Sequence, residues 1–231
     1  MIYICMDDTD NLESRGTGKL SRTIAKKLSK DYPVYGVTRH QLLKHPDIPY
    51  TSHNTCSVIH IENLGTECID ELFEAVKQEM MDDFIEGSDP GLAVAHESQI
   101  TPALVAFGND AKYTILNQEK ARNLASNLGI RLEGLGGTED GVIGAMAGLG
   151  LASTKNDGRF LLVGNKKFTG QKTAEELLNS GIDAIYTIDG RPITEGLIFN
   201  DTKLVKPCPV GGNVILFVEE KGGVLKAVNR G

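Results

Sequence analysis

IYICMDDTDNLESRGTGKL, residues 2–20, decides how the chain is read. Residues 2–6 are an unbroken apolar run, the mark of a buried strand. Three carboxylates, Asp7, Asp8 and Asp10, follow it at once. Gly16, Thr17 and Gly18 then open a stretch in which Leu20, Ile24 and Leu28 recur every fourth residue. That spacing predicts an amphipathic helix over residues 18–30. The acidic turn therefore lies at the carboxyl end of a strand, where ligands of α/β folds usually sit.

Outward from this unit the alternation continues. Residues 34–41, 56–61 and 92–95 read as strands, and Ile69, Leu72, Phe73, Val76 and Met80 mark a second helix. The order β-α-β-β-α-β fits a ferredoxin-like unit. Beyond residue 101, a helix over 119–128 is stopped by Gly129. GLGGTEDGVIGAMAGLGLAS, residues 134–153, offers Thr138 as an N-cap and Val142, Ile143, Met146 and Leu149 as a buried face. Its small residues suit either close helix packing or a ligand cleft. Strands are expected at 160–163, 184–188 and 214–218, with a Thr173/Glu176 capping box opening a further helix. The expected fold class is α/β (α+β), two ferredoxin-like or related β-α-β units packed together, divided into residues 1–105 and 106–231.

Composition narrows the function. The 231 residues carry a net charge of −7, with 6% aromatics and no tryptophan. That balance argues against tight nucleic-acid binding by the chain alone, which needs clustered cations and stacking platforms. No apolar run approaches the length of a spanning helix and no signal-peptide layout opens the chain, so a cytoplasmic location and no membrane partner are expected. Cys5, Cys56, Cys68 and Cys208 form no CxxC pair. They read as reduced thiols, not a zinc ribbon.

The acidic turn carries the chemistry. Three like charges crowd together at a cost that a cation offsets. Hard oxygen donors on a short loop suit Mg2+, which commonly takes one or two carboxylates plus phosphate oxygens. The helix start after Gly16 offers amides and a positive dipole end to a phosphate, with Arg15, Lys19 and Arg22 beside it. These are parts of phosphoryl transfer. The competing reading is a turn in which Asp7 or Asp10 only caps or braces the loop. His53, beside Asn54, reads either as a group facing substrate or as a solvated loop histidine.

The same residues resemble a family. The strand, DDTD, glycine and helix look like the opening of the archaeal tRNA-isoleucine agmatinylcytidine synthetases. HPDIPYTSHNTCSVI (45–59), SDPGLAV (88–94) and DGVIGAMAGLG (140–150) resemble, in order, three further segments of that family, and residues 199–219 follow its end weakly. The resemblance implies a kinase-like domain over 1–105 and a ferredoxin-like domain over 106–231, without the family's OB and zinc-ribbon domains. It implies Mg2+ and ATP phosphates at Asp7, Asp8 and Asp10. The expected nucleotide-binding residues beside them are Arg15, Gly16, Thr17, Gly18, Arg22, His53 and Asn54. Asp8 and Lys19 would be catalytic. Lys19 stands where the family has a phosphorylated threonine, and Thr17 and Ser21 are hydroxyls out of that register. The expected function is Mg-dependent, ATP-using activation of a small-molecule or nucleotide substrate by phosphoryl or nucleotidyl transfer. The alternatives are tRNA modification with a partner supplying RNA binding, and a non-catalytic nucleotide or metal sensor. A homodimer is left open.

Overall fold

A computed structural model describes residues 1–14, 16–51, 53–164, 169–200 and 206–230. The first six elements are β1 (Ile2–Asp7), α1 (Thr17–Leu28), β2 (Val34–Gln41), β3 (Thr55–Ile61), α2 (Ile69–Asp82) and β4 (Gly91–His96). Their strands lie in the order β4-β1-β3-β2. This is the expected β-α-β-β-α-β unit, with β1 buried along its whole length at the centre.

The fold is α+β, and the next elements add to the sheet already begun. They are α3 (Pro102–Asp110), α4 (Gln118–Leu128), β5 (Arg131–Gly134), α5 (Gly141–Ser153) and β6 (Arg159–Val163). β5 pairs with β4 and β6 with β2, completing a six-stranded antiparallel sheet. The division expected at residues 105 and 106 thus falls inside α3, within this layer.

The pleat sorts the core. Ile2, Ile4 and Met6 point to α1 and α2, while Tyr3 and Cys5 point to α3, α4 and α5. α5 is buried on nearly every side, beyond the single face its sequence predicts. Only small residues let a helix lie so close to the sheet. Its N-cap is Asp140, not Thr138, and the segment before it is tied to Asp89, which takes the Thr138 and Gly141 amides.

The second sheet is built from β7 (Lys172–Thr173), β8 (Ala184–Thr187), β9 (Leu197–Phe199), β10 (Cys208–Val210), β11 (Asn213–Lys221) and β12 (Val224–Val228), with α6 (Ala174–Leu178) after β7. Its order is β10-β11-β12-β9-β7, with β8 parallel to β11. The Thr173/Glu176 capping box is present in both directions. Phe160 and Val163 of β6 pack into the core of this second sheet, and the Phe160 N–H donates to Pro207 O at 2.7 Å. β6 thus belongs to the first sheet but sends side chains into both cores. All four cysteines are free thiols. Among the described residues, no helix is long and apolar enough to cross a membrane.

Near β6 the first sheet buries a polar chain. Thr38 Oγ1 lies 2.7 Å from His40 Nε2 and 2.7 Å from His60 Nε2, and His40 Nδ1 lies 2.9 Å from Asp157 Oδ1. Burial drives the His60 imidazole from its ordinary 6.5 down to about 3, with the charges of His40 and Lys155 adding to it. An unfolded His60 binds its proton near 6.5 and the folded one near 3, so stability falls as pH drops through that window. Urea unfolding followed against pH will fall off more steeply between pH 6.5 and 3 in the wild type than in His60→Phe. The difference in slope approaches about 1.4 kcal/mol per pH unit. Equal slopes would refute a His60 that is neutral when folded.

Candidate functional site

Asp7 ends β1 and is only 8% exposed. Its carboxyl group lies against α5, close to Gly144: a Cβ on Gly144 would sit 1.6 Å from Asp7 Oδ2. Burial, the charge of Asp8 and then that of Asp10 push Asp7 up to about 8, against a lowering bond from the Asp8 backbone. Asp8 turns the chain with φ of 51°, a left-handed conformation that is costly for a non-glycine residue. Its carbonyl accepts from Asp89 N at 3.2 Å, pinning the turn to the segment before β4. Burial, then Asp89, Asp10 and Asp140, raise Asp8 to about 6.

Asp10 is held by hydroxyls. Thr17 Oγ1 donates to its Oδ1 at 3.1 Å and Thr51 Oγ1 to its Oδ2 at 3.3 Å. Thr17 opens α1, so these bonds fix the acidic turn against that helix start. Gly16 precedes it with φ of 75°, a conformation glycine adopts without strain. Among the described residues no three His, Cys, Asp or Glu side chains form a ready metal cage.

Two cavities meet here. One of about 500 Å3 has Asp7, Asp8, Asp10 and Asp140 on its floor and an apolar wall that includes Ile48, Tyr50 and Ile143. The other, of about 540 Å3, is lined by Gly16, Gly18, Lys19, Arg22, Arg39 and Lys206. They share Asp10, Thr17, Thr51, His53 and Thr55. An acidic chamber and a cationic chamber thus adjoin across the end of β1 and the start of α1.

The fold brings the sequence-selected residues together unevenly. Asp7, Asp8, Asp10, Thr17, His53 and Asn54 line the acidic chamber, and Gly16, Gly18, Lys19 and Arg22 the cationic one. Arg15 lies outside the described residues. Asn54 spends its amide on Leu43 O at 2.7 Å, so it braces the loop after β2. Asp89, Asp140, Arg39 and Thr51 were not singled out as site groups. Asp89, Thr51 and Asp140 lie within the resembling segments SDPGLAV, HPDIPYTSHNTCSVI and DGVIGAMAGLG, whereas Arg39 carries no local signal.

No family model matches the chain, and no curated protein matches it in sequence. Solved structures do. Apo TiaS, a tRNAIle2 agmatidine synthetase, aligns with a TM-score of 0.54 and 21% identity over 64% of this chain and 35% of that one. The TiaS–tRNA(Ile2)–ATP complex aligns with a TM-score of 0.55 and 22% identity, over 64% and 36%. The TiaS–tRNA(Ile2)–AMPCPP–agmatine complex aligns with a TM-score of 0.52 and 20% identity, over 63% and 35%. At these identities the likeness is one of fold, and the chain spans about a third of each TiaS chain.

The contact between Gly144 and Asp7 leaves no room for a methyl group. Gly144→Ala will cost about 1–3 kcal/mol in urea unfolding, the usual range for overpacking. An unchanged midpoint and slope would refute this seating of Asp7.

Proposed function

We propose that this chain is an ATP-using enzyme that activates a small-molecule or nucleotide substrate by phosphoryl or nucleotidyl transfer, with Mg2+ bound at Asp7, Asp8 and Asp10. The observation that carries the reading is the pair of adjoining chambers of opposite charge, joined through Asp10, Thr17 and Thr51. A nucleotide triphosphate needs both: cations and helix amides for its phosphates, and a metal to bridge them.

The donor set suits that metal. The upward shifts of Asp7 and Asp8 mark carboxylates whose charge the protein alone leaves poorly compensated. Mg2+ does not require a closed protein cage, since phosphate oxygens and waters complete its shell. When bound it would neutralise charge on the phosphates. Thr17 and Thr51 hold Asp10 in place. Asp8 stands between Asp7 and Asp10 with its backbone pinned to Asp89. Lys19 and Arg22, on α1, meet negative charge as it develops on the transferred group. Lys19 replaces the threonine of the resembled family, and an ammonium stabilises this charge without accepting the group.

The acidic chamber suits the acceptor. Its carboxylate floor and apolar wall fit an amine-bearing molecule with an aliphatic or aromatic body. The TiaS complex that holds an ATP analogue together with agmatine supports such a pairing. TiaS complexes also hold tRNA. With a net charge of −7, an RNA acceptor here would require a partner that supplies the cationic surface.

Two outcomes test the reading. Titration calorimetry with ATP and Mg2+ will find metal-dependent nucleotide binding in the wild type and its loss in Asp8→Asn; equal binding in both would remove the aspartates from the site. Lys19→Ala will lower the rate of nucleotide turnover by about 10²–10³ while weakening binding far less. Nucleotide binding without turnover by the wild type, across amine and nucleotide acceptors, would favour a sensor instead.

A further inference from the structure

At the other end of α5 from the aspartates lies a cavity of about 170 Å3 that the proposed reaction does not use. Its walls include Tyr35, Phe160, His60, Thr38, Lys155 and Pro209, so both sheets contribute to it. Into this wall runs the buried chain from Asp157 through His40 and Thr38 to His60.

The direction of that chain is fixed at its acidic end. A carboxylate only accepts, and Asp157 takes the Lys112 ammonium on its second oxygen, so His40 Nδ1 donates to it. The single Thr38 hydroxyl proton lies between His40 Nε2 and His60 Nε2, so one ring nitrogen accepts from it and the other donates to the oxygen. His60 Nε2 is thereby engaged, and Nδ1 is the ring nitrogen left for a ligand. Nδ1 has no hydrogen-bond partner among the described residues, although the ring is 5% exposed. Around it stand the rings of Tyr3, Tyr35 and Phe160, with centroids 5.3, 6.2 and 6.3 Å away.

We propose that this cavity is a second binding site, for a small uncharged molecule of about one ring that carries a single hydroxyl to hydrogen-bond with His60 Nδ1. The volume is close to the roughly 150 Å3 that accepts benzene in an engineered cavity. The aromatic wall takes an apolar body, and the one open ring nitrogen asks for one hydrogen-bonding group, which a hydroxyl supplies whichever way the proton runs. Lys155 and Glu62 line the cavity with opposite charges, and Asp157 is already matched by Lys112, so nothing selects a charged ligand. Burial and the nearby positive charges keep His60 neutral.

The test uses the full chain with phenol, benzene and benzoate as probes, followed by nitrogen NMR of the histidine rings. Phenol should bind and shift His60 Nδ1, benzene should bind at least about tenfold more weakly, and benzoate should not bind. Asp8→Asn should leave phenol binding intact, separating this site from the aspartate chamber, and His60→Phe should abolish it. Equal affinity for phenol and benzene, benzoate binding, no phenol binding, or phenol binding that leaves Nδ1 unmoved would each overturn the proposal. The wild-type His60 signal decides the matter even where His60→Phe does not fold.

Discussion

The structure depends on how closely α5 can approach β1. A helix normally stands off from a sheet by the depth of the side chains between them. Here Gly144 meets the Asp7 carboxyl and Gly148 meets the sulfurs of Cys5 and Cys56, so helix and strand nearly touch. That approach buries Asp7, seals one side of the acidic chamber and removes the space in which water would solvate the carboxylate. The strong upward shift of Asp7 is a direct consequence. The chamber's chemistry and the core's packing are one feature seen from two sides.

Charge is divided with similar economy. The carboxylates cluster between β1, the segment before β4 and the start of α5, while the cations cluster along α1 and β2. Asp10 stands at the border, held by Thr17 and Thr51. A chain whose overall balance is acidic thus still offers a local cationic surface beside its carboxylates.

Much of this was legible in the residues. β1, α1, β2, β3, α2 and β4 follow from apolar runs and helical spacing, because each buries one simple face. Gly129 ends α4 in the left-handed conformation that its position suggested. The destination of β5 and β6 was not legible. Both are short, and joining a sheet begun a hundred residues earlier leaves no local trace. The N-cap at Asp140 was not legible for a related reason: the Thr138 and Gly141 amides at the start of α5 are both held by Asp89, a partner distant in sequence. In the site, DDTD announced itself by crowding, whereas Arg39 and Thr51 become site residues only through folding. β6 serves the cores of both sheets, and no periodicity encodes such a strand.

The contact between Cys5 and Gly144 also has a bearing on time. The two residues stand 139 positions apart. At ordinary synthesis speeds of about 5–20 residues per second, on the order of ten seconds separates the appearance of the acidic turn from that of the helix that closes over it. Until then the three carboxylates are solvated and carry ordinary charges. Contacts of such long range slow folding. The acidic chamber therefore forms only after some two-thirds of the chain has been made, and a nascent chain cannot hold the nucleotide and metal proposed for it before α5 has docked.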